Sequence, residues 1–456
     1  MFFRQILHDD LACASYVLAD EGAAAIVDPK WEIGEYLQAA ADAGAEIRYV
    51  LETHTHADHV SGRRRLLDAT EAVARVPGVS ADGRIEPIGD GDMIEVGRVE
   101  IRALAAPGHR PEHTAYVVYD GTADASQPRL LLSGDSLLIG DVARPDLAVA
   151  AEDGAAALFE SLRGLLALGD QLELWPAHVG GSLCGSGTLS LKTSSTIGYE
   201  RRTNPLLGIE DRRSFVSQLT RSKPTRPPTV KRVVELNRAG ATPPPSLAEL
   251  GPADLRRLVD AGVTLLDVRA PETFDAGHLA GSLNAAAAGT GLGTRAGWVA
   301  SPESRIVIVA STFVEGEEAS ARLYAAGVWN LAGVTVADPA SWRSAGLSVR
   351  TSDALTPERV AAALTRHELR LLDVREPHEW RSGHVPDSLH LPLARLGHGQ
   401  DVPIPHDGPL AVACAAGRRA ALAASVLRRG GYEGVYRVSG GIPDLASHGI
   451  ALVNGD

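Results

Sequence analysis

The stretch LLDVRAPETFDAGHLAGSLN (265–284) returns 106 residues later as LLDVREPHEWRSGHVPDSLH (371–390), with half of the positions identical. A period this long belongs to a duplicated domain, because solenoid repeats are shorter. The C-terminal half must therefore fold as two related units. Each copy reads as a helix, a buried strand ending in Asp-Val-Arg, a loop, and then a second apolar strand, RIVIVA (305–310) or PLAVAC (409–414), followed by a helix. That alternation predicts α/β domains with parallel sheets and chemistry at the strand C-termini. Proline clusters in SKPTRPPTV (222–230) and GATPPPS (240–246) break helix and central strand alike, placing a first boundary near residue 242. A second falls near 351, in SVRTSDALTPERV. The expected domains are 1–241, 245–350 and 352–456. In the first, alternating stretches such as AAAIVDP, EIRYVLETH, TAYVVYD and RLLLSGDSLL, with helices such as AALFESLRGLLAL, point to two sheets covered by helices.

The net charge of -13 offers no clustered positive field for nucleic acid or an anionic membrane. The first residues, MFFRQILHDDLACASYVLADEG, mix acids among apolar groups and do not read as a signal peptide. No stretch approaches the ~18 uninterrupted apolar residues of a membrane span. Three widely spaced cysteines, Cys13, Cys184 and Cys414, argue against a disulfide framework and for a reducing, cytoplasmic location. Small or thiol-based partners are expected.

The segment LETHTHADHVSG (51–62) follows an apolar strand and carries His54, His56, Asp58 and His59. Residues two apart after a strand end can face one centre, while the turn brings the next pair to its other side. Imidazole and carboxylate suit zinc or iron. His109 in APGHRPEH, Asp135 in LLLSGDSLL and His178 in LWPAHVGGS sit at comparable strand ends. Glu112 and His113 read as structural.

The H-x-H-x-D-H motif with the later His, Asp and His resembles the metallo-β-lactamase superfamily over roughly the first 235 residues. That resemblance implies an αββα sandwich with metal at its open edge. All seven ligands of the two-zinc hydrolases are retained, so a glyoxalase II-like thioester hydrolase stands as an alternative, with zinc as its metal. The stretch GDSLLIGDVARPDL (134–147) is similar instead to the persulfide dioxygenase branch. Carried over, that likeness implies one Fe(II) per chain on His54, His109 and Asp135, and an Arg144 that faces substrate. His56, Asp58, His59 and His178 then orient the ligands by hydrogen bonds.

In the second copy, CAAGRRAALAASVL (414–427) puts Cys414 at a strand end before a helix. Gly417 permits the tight turn, while Arg418 and Arg419 bring positive charge that lowers the thiol pKa and attracts sulfur oxyanions. With LLDVREPHEW and GHVPDS, this resembles an active rhodanese domain. The first copy has Ala310 and Ser311 at the cysteine's place, and Glu315, Glu317 and Glu318 in place of the arginines. It is expected to be an inactive rhodanese-homology domain with a packing, orienting or docking role. Cys184, in a glycine-rich loop near His178, is a candidate for transient persulfidation or gating.

The domain order resembles bacterial persulfide dioxygenase–rhodanese fusions. The resemblance implies oxidation of small-molecule thiol persulfides by O2 to sulfite, sulfur transfer between persulfide and thiosulfate, and a role in sulfide detoxification by a homo-oligomer.

Overall fold

The computed structural model describes residues 1–122, 126–180, 190–221, 225–242, 244, 246–301, 303–397, 404 and 408–455. Cys184 lies outside them. The chain divides into two units, Met1–Arg226 with Val230–Pro243, and Pro227–Thr229 with Pro244–Asp456.

The first unit is an αββα sandwich. One sheet runs in chain order through Phe2–His8, Cys13–Asp20, Ala23–Val27, Glu46–Leu51, Val73–Val76 and Ile85–Pro87. The other has the order Ser195–Thr196, Glu173–Pro176, Pro128–Gly134, Thr114–Asp120, Val99–Ala105 and Met93–Val96. Alternation decides how they pack. In Cys13–Asp20, Tyr16 and Leu18 meet Ile101 and Val118 between the sheets, whereas Val17 and Ala19 join Tyr36 and Ala39 of the helix Gly34–Asp42. On the far side, Leu158 and Leu162 of the helix Ala151–Leu166 cover the second sheet. Ala23–Val27 and Pro128–Gly134 are buried on both faces and run nearly continuously apolar rather than alternating, whereas Met93–Val96 and Val99–Ala105 keep one exposed face and do alternate.

The second unit contains two parallel sheets, one for each copy of the repeat. Their orders are Leu283–Asn284, Thr264–Asp267, Ile306–Ala310, Leu331–Val336, and Ala354–Leu355, Val435–Val438, Leu410–Ala413, Arg370–Asp373, Leu389–His390. The repeated Asp-Val-Arg is a buried fork. Arg269 Nη2 donates to Asp267 at 2.6 Å and to the Gly277 carbonyl at 2.9 Å; Arg375 makes the same pair of contacts with Asp373 (2.6 Å) and Gly383 (2.8 Å). The repeated Gly-His is a second staple. His278 stacks on Phe274 and His384 on Trp380, each pair with centroids 3.8 Å apart. The identities shared by the copies are thus framework residues. Among the described residues no helix is long and apolar enough to cross a membrane.

Candidate metal centre and sulfur site

Four strand ends converge in the first unit. His54, His56, Asp58 and His59 lie between Glu46–Leu51 and the helix Arg63–Ala69. His109 occupies the turn between Val99–Ala105 and Thr114–Asp120. Asp135 and His178 follow two neighbouring parallel strands, in which Gly134 pairs with Pro176, so they emerge side by side. His54, His109, Asp135 and His178 are all fully buried.

His54, His109 and Asp135 each present one ligand atom, and these lie within 4.8 Å of one another. Asp135 Oδ2 is 3.7 Å from His54 Nε2 and 3.3 Å from His109 Nε2. None of the three atoms has a hydrogen-bond partner among the described residues. The opposite atoms are all engaged. Thr53 Oγ1 donates its single proton to Asp28 Oδ2 (2.9 Å), so it must accept from His54 Nδ1 (2.9 Å). His109 Nδ1 donates to the Arg144 carbonyl (3.1 Å). Both rings therefore turn the Nε2 lone pair toward the same point. Burial lowers the pKa of both rings, and neighbouring imidazoles lower that of His54 further. For Asp135 burial acts upward, but His178 and His109 outweigh it and hold the carboxyl well below the usual range. A cation satisfies all three unpartnered atoms at once, so the donors fit a metal.

The remaining motif residues form an adjoining group. His56, Asp58 and His59 also place ligand atoms within 4.8 Å of each other, and His56 Nδ1 and His59 Nε2 are unpartnered among the described residues. His178 spans the two groups, with Nδ1 2.5 Å from Asp135 Oδ1 and Nε2 2.8 Å from Asp58 Oδ2. His56 Nε2 meets Asp28 Oδ1 at 3.1 Å. Burial disfavours the charged His56 ring, but Asp28 and Asp58 prevail and raise its pKa to about 9.

Three supporting residues went unnoticed in the sequence. Asp28, in the left-handed region at φ 52°, accepts from Thr53 N–H as well and so aligns the whole His-x-His segment. Asn237, on the helix Val230–Ala239, donates to the carbonyls of His56 and His59 at 2.9 Å each. Arg110 donates to Glu112 at 2.7 Å. His113, read as structural, accepts the Asp135 backbone N–H through Nε2 at 2.9 Å. Arg144 is 2% exposed, and its side chain is clamped on Asp146 by bonds of 2.7 and 2.9 Å.

In the second unit Cys414, 1% exposed, follows the strand Leu410–Ala413, and Gly417 (φ +82°) opens the helix Arg418–Arg429. The Cys414 carbonyl accepts from Ile442 N–H at 2.9 Å. The two arginines differ. Arg419 forms a two-pronged ion pair with Glu379 (2.5 and 2.7 Å), whereas the Arg418 guanidinium lies against the bare Cα of Gly289 in the other copy. In that other copy Ala310 ends the strand, and Ser311 N–H donates to the Glu315 carboxylate at 2.7 Å. The loop is filled by its own anion. Glu317 and Glu318 are exposed. Cys13 is buried in its strand.

The sequence profile of the metallo-beta-lactamase superfamily matches residues 8–178, and that of the rhodanese-like domain matches residues 356–448. The mitochondrial persulfide dioxygenase ETHE1 of Bos taurus is 30% identical over 256 residues, covering 54% of this chain and 91% of that protein. A hydroxyacylglutathione hydrolase of Cereibacter sphaeroides is 34% identical over 165 residues, covering 35% of this chain and 59% of that protein. The crystal structure of a metallo-beta-lactamase from Staphylococcus aureus subsp. aureus COL superposes with a TM-score of 0.65 and 28% identity, over 74% of this chain and 99% of that one.

Proposed function

This chain belongs to the persulfide dioxygenase family of metallo-beta-lactamase-fold proteins and carries a rhodanese-like domain in the same polypeptide, and from that premise we propose that it oxidises small-thiol persulfides and transfers their sulfur. The overall reaction of residues 1–241 is R-S-SH + O2 + H2O giving R-SH and sulfurous acid, which ionises to sulfite. The observation that supports it is the convergence of three unpartnered donors, His54 Nε2, His109 Nε2 and Asp135 Oδ2, in a buried pocket. These three residues would hold one Fe(II), leaving coordination positions open on one face. When bound, iron supplies the redox chemistry that O2 needs to react with sulfur.

The protein's own groups do the rest. Thr53 and the Arg144 carbonyl fix the tautomers of His54 and His109, and the Asp135 carboxylate is held ionised by His178. In residues 352–456 the Cys414 thiolate attacks the outer sulfur of a persulfide, forming a cysteine persulfide and expelling the thiol. Sulfite then takes that sulfur as thiosulfate and restores the thiolate. The Gly417 turn and Arg418 favour both anions. Residues 245–350 lack the nucleophile and carry no transfer step.

The test is oxygen uptake by anaerobically iron-loaded protein given glutathione persulfide, with sulfite and thiosulfate assayed in the same vessel. Uptake with sulfite is expected, and Cys414→Ser should abolish thiosulfate formation while sparing uptake. The adjoining His56, Asp58 and His59 group supports a second reading, a two-zinc thioester hydrolase. Two zinc ions per chain and no oxygen uptake after iron loading would replace the first reading with the second.

A further inference from the structure

Arg110 directly follows a residue of the metal triad and is 3% exposed. Its carbonyl accepts the His113 N–H at 3.2 Å, which fixes the backbone of the turn. Its Nε donates to Glu112 Oε1 at 2.7 Å, and the same oxygen receives the Thr55 N–H at 3.4 Å. Thr55 stands between His54 and His56, so Glu112 ties the guanidinium to the metal-seeking segment itself. Packing seats Glu112 as well: a Cβ on Gly78 would lie 2.6 Å from Glu112 Cβ.

That single bond occupies one of the five guanidinium N–H groups. Nη1 and Nη2 make no hydrogen bond to any described residue. Nη1 and Nη2 are not among the buried polar atoms left without a partner, so this edge of the guanidinium stays open, and a fork of N–H groups held in place by Glu112 suits an anion. Arg144, by contrast, spends its Nε and Nη2 edge on Asp146.

We propose that Arg110 binds the anionic group of the substrate beside the metal triad through Nη1 and Nη2, with Glu112 positioning its guanidinium; this rests on the persulfide reading above. The anion is either the deprotonated terminal sulfur, common to every persulfide, or a carboxylate of the thiol that carries it.

The experiment uses full-length iron-loaded protein and the variants Arg110→Gln, Arg110→Lys and the double change Arg110→Gln with Glu112→Gln, which removes both charges of the pair together. Substrates are glutathione persulfide and cysteamine persulfide, which has no carboxylate. Arg110→Gln and the double variant should raise KM about tenfold or more, as loss of a charge-assisted bond does, with iron content and kcat nearly unchanged and partial recovery in Arg110→Lys. A rise for both substrates assigns the sulfur anion, and a rise for glutathione persulfide alone assigns the carboxylate. Anaerobic calorimetry with glutathione and cysteamine gives a readout independent of turnover. If the unmutated protein consumes no oxygen, the dioxygenase reading fails, yet weakened thiol binding in the variants still upholds Arg110. Unchanged KM and Kd in the double variant overturn the proposal, as does a loss that follows iron content.

Discussion

His8 lies 5% exposed, with Nε2 3.1 Å from Ser15 Oγ and 3.0 Å from the Tyr36 hydroxyl. Burial, then the charges of Lys30 and His59, lower its pKa from 6.5 to about 2. The fold thus keeps the ring neutral, while the unfolded chain takes up a proton below 6.5. This contribution is complete above pH 6.5 and shrinks as pH falls toward 2, by at most about 1.4 kcal/mol per pH unit. Urea midpoints measured between pH 7 and 5 should fall more steeply for the natural protein than for His8→Gln. Parallel slopes would sink the assignment. Residues that support the metal-seeking segment carry the faintest signal in the sequence. Asn237 reaches His56 across 181 positions of sequence, and Asp28 closes an unremarkable apolar strand, so neither carries a local pattern. The ligand candidates were legible because histidines crowded at a strand end have few other uses. Arg144 was placed by similarity of spacing, but Asp146, two residues on, competes for its side chain.

Strand ends gather the chemistry, and the loops that follow them depend on close backbone contact. At the sulfur site Gly441, which precedes the helix Ile442–Ser447, lets the backbone press on the Ala415 carbonyl, and any Cβ there overlaps it. Gly441→Ala should displace the Cys414 loop and lower sulfur transfer at least about tenfold, with a destabilisation of roughly 1–3 kcal/mol, while oxygen uptake by the first unit persists. Undiminished thiosulfate formation in that variant would count against a fixed loop. The strand-loop-helix order of both copies was visible in the repeat, as was the missing cysteine of the first. The Arg419–Glu379 pair was not, because Glu379 lies 40 positions earlier and belongs to a separate helix. Sequence alone made both arginines equivalent anion attractors; the fold gives one of them a carboxylate.

Across the whole molecule, the duplicated half is a single unit. Arg437 of the cysteine-bearing copy, 5% exposed, donates to Asp275 and Glu272 of the other at 2.7 Å each. Ser425 Oγ accepts the Asn284 N–H at 3.0 Å, and the Gly397 backbone lies directly on the Trp298 carbonyl. The two copies are therefore packed on each other through buried polar and backbone contacts. Asp275→Ala leaves Arg437 short of a buried partner and should cost about 3 kcal/mol in the unfolding of the second unit; denaturant titration followed by sulfur transfer checks it, and an unchanged midpoint refutes it. The Glu315 carboxylate seated on Ser311 N–H bears on the history of the duplication. The strand registers set Ala310 where the other copy has Cys414, so a cysteine placed at 310 would sit beside a backbone N–H already occupied by a carboxylate, a charge that disfavours a thiolate and leaves less of the loop's N–H cradle open to an incoming anion.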